Sequence, residues 1–117
     1  MLRTSIIACS LFLSSQAFAL NIAGDYSGQC SGNIQCAVEI NDKAQVSIIV
    51  ADRLDYSKRK CAISGTLQHS AKGLAGEIQK GWKVSLVKTP TSGVYLNGLP
   101  KEACGLNLNG YYEVIGD

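Results

Sequence analysis

Apolar and polar side chains alternate along most of this chain. Ile34, Cys36, Val38 and Ile40 fall on one side of an extended segment, with Gln35, Ala37 and Glu39 between them. After Asn41-Asp42-Lys43, the residues Val46, Ile48 and Val50 resume the same period. Two runs of period two joined by turn residues predict a β-hairpin. Cys61, Ile63, Gly65 and Leu67 then alternate with Ala62, Ser64 and Thr66, and Trp82, Val84 and Leu86 with Lys83 and Ser85. No window carries the 3.6-residue period of an amphipathic helix. Gln79-Lys80-Gly81, Thr89-Pro90-Thr91 and Asn97-Gly98 supply turn chemistry between the runs. Asn109-Gly110 has Leu106, Leu108, Tyr112 and Val114 at even spacing around it, which suits a strand bent at a glycine. The pattern predicts about eight strands, near residues 21–30, 34–41, 44–51, 60–68, 73–79, 82–88, 93–97 and 105–115.

A five-residue pattern recurs, with an aliphatic residue, a central glycine and a second aliphatic or aromatic residue at positions one, three and five. It occurs at Ile22 to Tyr26, Ile63 to Leu67, Leu74 to Ile78 and Leu108 to Tyr112. Glycine weakens a strand unless the backbone must bend or approach a neighbour there, and a small barrel needs such points to curl. The first and last copies lie near the two ends of the chain, so the terminal strands are expected to pair and close the sheet, removing its exposed edges. The fold expected is all-β, a small antiparallel closed barrel of approximately eight strands or a related β-sandwich.

The N-terminus has a different pattern. Arg3 precedes an apolar run from Ile6 to Leu13, followed by Ser14-Ser15-Gln16 and Ala17-Phe18-Ala19. This is the order of a secretory signal peptide, residues 1–19, cleaved after Ala19. A spanning helix needs roughly 20 apolar residues, and the run is too short for one. Residues 20–117 then form one domain, large enough for one core but burying only about 60 to 70% of its unfolded surface.

Of the five cysteines, Cys9 leaves with the leader, and Cys30, Cys36, Cys61 and Cys104 enter an oxidising compartment. Two disulfides are expected. Three pairings are open, of which Cys30 with Cys36 and Cys61 with Cys104 is preferred. A zinc site is the competing reading, but the chain has no C-x-x-C pair and a single histidine, His69, so no metal is expected.

Ile22-Ala23-Gly24-Asp25-Tyr26 resembles the opening strand of avidin-like and related small barrels, including periplasmic inhibitors of secreted metalloproteases. Ser92-Gly93-Val94-Tyr95 is similar to the Ser-Gly-x-x-Tyr element of periplasmic inhibitors of C-type lysozymes, with the tyrosine one residue early and the accompanying Thr-Lys-Gly element missing. These likenesses imply a small exported barrel, and no functional residue is carried over from them.

Eleven basic side chains face nine acidic ones, and Arg3 belongs to the leader, so the surface has no general pull toward nucleic acid. Catalytic equipment is sparse. His69 is the only ordinary base near neutral pH and sits in a polar turn; no G-x-S-x-G elbow is present; the carboxylates of Asp52 with Asp55, or of Glu77 with Glu102, could meet in space, but nothing in the sequence indicates that they do. No phosphate loop or dinucleotide fingerprint occurs, so no cofactor is expected. The most distinctive polar segment is Ala51 to Lys60, the longest expected loop, which carries Arg53, Lys58, Arg59 and Lys60 beside Leu54 and Tyr56. It is expected to bind through Arg53, Tyr56, Lys58, Arg59 and Lys60, with Tyr95 as a further exposed contact. The function expected is a non-enzymatic, inhibitor-like binding protein acting on a protein or other macromolecule in the periplasm or outside the cell. The alternatives are a small-ligand carrier using the barrel interior, or a small hydrolase tested at His69 and Asp55.

Overall fold

The computed structural model describes residues 21–115, and the expected leader, residues 1–19, lies outside them. Among the described residues the period-two segments become nine antiparallel strands: β1 Gly24–Gly28, β2 Ile34–Ile40, β3 Gln45–Asp52, β4 Arg59–Thr66, β5 Gln68–Ser70, β6 Gly73–Ile78, β7 Trp82–Lys88, β8 Gly93–Asn97 and β9 Gly110–Val114. Their order in the sheet is β4-β3-β2-β1-β9-β8-β7-β6-β5. The two outermost strands are one run of chain, interrupted only at Leu67. Its amide donates to Ala44 O at 2.9 Å, on the β3 side, and the next residue, Gln68, pairs with Ala75 of β6. β5 therefore continues β4 past a bend, which accounts for nine strands where about eight were expected, and the bend brings the sheet round into a nearly closed barrel. Gly65 makes room for it: a Cβ at that position would lie 2.5 Å from Ile78 Cγ2, across the seam.

The expected pairing of the terminal strands is found. β1 lies beside β9, with Tyr26 opposite Val114 and Gly28 opposite Tyr112. Two copies of the glycine pattern flank this seam and make the same local structure. Gly24 and Gly110 hold φ of 151° and 140°, a region side chains rarely adopt. Each resulting bend lets the tyrosine two residues later reach back, so Tyr26 donates its hydroxyl hydrogen to Ile22 O at 2.7 Å and Tyr112 donates to Leu108 O at 2.6 Å. Burial raises the pKa of both phenols, that of Tyr112 to about 12.

The barrel interior is filled by side chains. Val38, Ile48, Leu74, Leu86, Val94 and Leu96 are fully buried and belong to one apolar cluster, each contributing roughly 1.5–3 kcal/mol of burial. A carrier would have to displace them. Among the described residues no buried side-chain nitrogen or oxygen lacks a hydrogen-bond partner.

Both preferred disulfides are present, Cys30–Cys36 and Cys61–Cys104, each with Cα atoms 5.9 Å apart. They are consistent with an oxidising environment. The first ties the end of β1 to β2; the second ties β4 to the irregular chain between β8 and β9. Among the described residues no helix is long and apolar enough to cross a membrane.

Two expected strands are shorter than their sequence pattern. The first begins at Gly24, not 21, and the last at Gly110, not 105. Leu106 and Leu108 still pack into or against the core, but their backbone is not laddered. Asn109 explains the difference: its Oδ1 accepts from Leu99 N at 3.0 Å and its Nδ2 donates to Leu99 O at 2.9 Å, so one side chain supplies what a strand partner would.

Candidate functional site

The charged segment is a six-residue connection, 53–58, between β3 and β4, with its outer residues drawn into the strands. Ladder pairing continues to Ala51 opposite Arg59, and Lys60 is the extra residue of a β-bulge between the Val50–Cys61 and Ala51–Arg59 pairs. The loop is closed on itself. Asp52 N donates to Lys58 O at 2.9 Å, Lys58 N to Asp55 O at 3.0 Å and Asp55 N to Asp52 O at 3.3 Å. Asp52 Oδ2 accepts from Leu54 N at 3.0 Å, and Asp55 Oδ1 accepts from both Ser57 N and Ser57 Oγ. These are the bonds Asx residues make in turns, and they occupy both carboxylates that the sequence offered as a hydrolytic pair.

The loop is also braced from the barrel wall. Gln35 of β2 donates through Nε2 to Asp52 O at 2.7 Å and to Arg53 O at 3.2 Å. Arg53 N donates to Asn33 O, and its guanidinium donates to Gly32 O at 3.1 Å. Tyr56 turns back onto the wall and donates to Glu39 Oε2 at 2.8 Å, while the Arg59 guanidinium lies 5.2 Å from the centre of its ring. Desolvation, followed by the bond to the Glu39 carboxylate, pushes the Tyr56 pKa up to about 12. The bond has a further effect. Glu39 stands directly opposite Asp25 in the β1–β2 ladder, a like-charge pairing that costs stability, and the Tyr56 hydroxyl gives it a favourable partner.

With Tyr56 turned inward, Leu54 is what the loop presents. It is 93% exposed, and Arg53, Lys58, Arg59 and Lys60 are exposed around it. The structure therefore brings together five of the six expected binding residues, with Tyr56 serving to anchor the loop and Leu54 standing at the surface. Tyr95 is elsewhere. It lies on the outer face of β8, and β2, β1 and β9 intervene between β8 and the loop's own strand β3. His69 is exposed on β5, opposite Leu74.

The sequence pattern does not single out Gln35 and Glu39 as parts of this site. A signal for it was present in Ile48-Ile49-Val50-Ala51, a continuous apolar run where strict alternation would put polar residues at the second and fourth positions. Such a run marks a strand covered on both faces. Ala37, Ile49 and Ala51 are indeed buried on the outward side, apart from the interior cluster, and Tyr56 lines a small cavity with Ala37 and Glu39 on that side.

Among the described residues no group of His, Cys, Asp and Glu is placed to hold a metal ion. No protein-family model, curated protein or solved structure matches the chain.

Proposed function

We propose that this is an exported, non-enzymatic binding protein that acts, as an inhibitor does, by occupying a site on a macromolecule in the periplasm or outside the cell. The observation that carries the reading is Leu54, 93% exposed at the tip of a loop whose backbone is pinned from within and from β2. A solvent-exposed leucine gains nothing for the free protein, whereas burial in a partner's apolar pocket is worth roughly 1.5–3 kcal/mol. Because the loop is already ordered, little conformational freedom is lost on docking. The surrounding cations steer it toward a partner with an acidic rim. The amides of Arg53, Leu54 and Asp55 are already bonded within the protein, so recognition falls to side chains rather than to backbone pairing.

Native pull-down from periplasmic and extracellular fractions tests this. The wild type is expected to recover a specific partner that Leu54→Asp and the combined Lys58→Ala and Lys60→Ala variant do not. Recovery of no specific partner by the wild type, or equal recovery by all three proteins, overturns the reading.

A further inference from the structure

We propose that the outer wall formed by β8, β9 and β1 is a second binding site, for a glycan of neutral or amino sugars. Tyr95 and Tyr111 stand directly opposite each other in the β8–β9 ladder and are 49% and 40% exposed. Cross-strand partners have Cβ atoms about 5 Å apart, so the two tyrosines share one patch of the outer wall.

The Tyr111 ring is held in place. A Cβ on Gly93 would collide with Cε1, Cζ and Oη of Tyr111, so this ring lies across β8 where a side chain would otherwise stand. Gly93 is accordingly buried although it faces outward. The Tyr111 hydroxyl is 3.1 Å from Thr91 Oγ1, which fixes the far end of the ring. One ring face is covered by the sheet and the other is left to solvent. An aromatic face is apolar with a negative quadrupole, which suits the weakly positive C–H patch that a pyranose ring offers on one side.

A sugar also needs hydrogen bonds at its edge, and these adjoin the rings. A shallow cavity of about 330 Å³ is lined by Ser27, Gly28, Gln29, Tyr111, Glu113 and Val114. Glu113 offers two acceptor oxygens, Gln29 an amide donor and acceptor, and Ser27 a hydroxyl, a set that matches neighbouring sugar hydroxyls. None of the lining residues is basic, so the cavity offers no cationic partner for phosphate, and the Glu113 carboxylate repels acidic sugars. Ser27 also lines the cavity beneath Tyr56, but neither Leu54 nor any basic residue of its loop lines the sugar cavity.

Chemical-shift mapping of the disulfide-bonded protein with tetramers of β-1,4-linked glucose, xylose and N-acetylglucosamine, and with oligogalacturonate, tests the proposal. At least one of the first three is expected to shift Gln29, Tyr95, Tyr111 and Glu113 at millimolar concentration, and oligogalacturonate is not. Tyr95→Ala and Tyr111→Ala each weaken that binding by about tenfold, while Tyr111→Phe stays close to wild type. Should Tyr111→Ala fail to fold, Tyr95→Ala carries the comparison, since its side chain is half exposed. No shift with any of the three neutral or amino glycans, shifts that persist in the tyrosine variants, or preference for the uronate, a proline-rich peptide or single-stranded DNA overturns the proposal. Leu54→Asp leaves glycan binding unchanged, which separates this site from the loop.

Discussion

Tyr56 donates a hydrogen bond to Glu39 at 2.8 Å, and this contact ties the loop between β3 and β4 to the outer wall of β2. It converts a charged hairpin end into a braced projection, because the same tyrosine that a loop would ordinarily show to solvent is used to hold it down. Tyr56→Phe keeps the ring against the wall and removes the bond. The expected cost is about 1 kcal/mol of stability, together with faster amide exchange at Leu54, Asp55 and Lys58. Hydrogen exchange read by mass spectrometry checks this, and unchanged exchange across 53–58 would remove Tyr56 as the anchor.

Asp25 opposite Glu39 is an unfavourable cross-strand pair. Replacing Asp25 by Asn removes the repulsion and leaves the exposed position polar. A gain of roughly 0.5 kcal/mol is expected in urea unfolding, with a smaller gain at high salt, where the repulsion is already screened.

Tyr26, Tyr56 and Tyr112 all hold their protons above the ordinary phenol value of 10, the last two to about 12. The unfolded chain therefore loses these protons first as pH rises. Stability from these groups is fully present below pH 10 and declines as pH climbs from 10 through about 12. Thermal midpoints measured between pH 9 and 12 should fall, and fall less steeply in Tyr112→Phe than in the wild type. A midpoint flat across that range would contradict the burial of these hydroxyls.

The two disulfides close loops of very different size, with sequence separations of 6 and 43. Chain entropy then assigns about 2 kcal/mol to Cys30–Cys36 and about 4 kcal/mol to Cys61–Cys104. Paired alanine variants compared by denaturant midpoint should fall in that order. The reverse order would mean that the irregular chain around Cys104 is held by other contacts.

Gly65 and Leu54 give opposite expectations from similar-looking substitutions. An alanine at Gly65 must push Ile78 aside at the barrel seam, with a loss of about 2 kcal/mol. Leu54→Ala removes a side chain that touches solvent, and its thermal midpoint should match the wild type. A destabilised Leu54→Ala protein would show that the leucine packs at home and is not displayed.

The β class, the preferred pairing of Cys30, Cys36, Cys61 and Cys104, and the glycine bends at Gly24 and Gly110 were all legible in the sequence. Those properties are local: period two assigns each side chain to a face, and a glycine marks where the backbone must bend or approach its neighbour. Tertiary structure decided what local patterns do not encode. Whether residues 59–70 make one strand or two depends on a bend at Leu67 between β3 on one side and β6 on the other. Whether Tyr56 is displayed or tucked away depends on Glu39, 17 residues distant along the chain. That Tyr95 joins Tyr111 rather than the charged loop follows from strand order, because alternation says only that a side chain faces outward, while long-range pairing decides onto which wall.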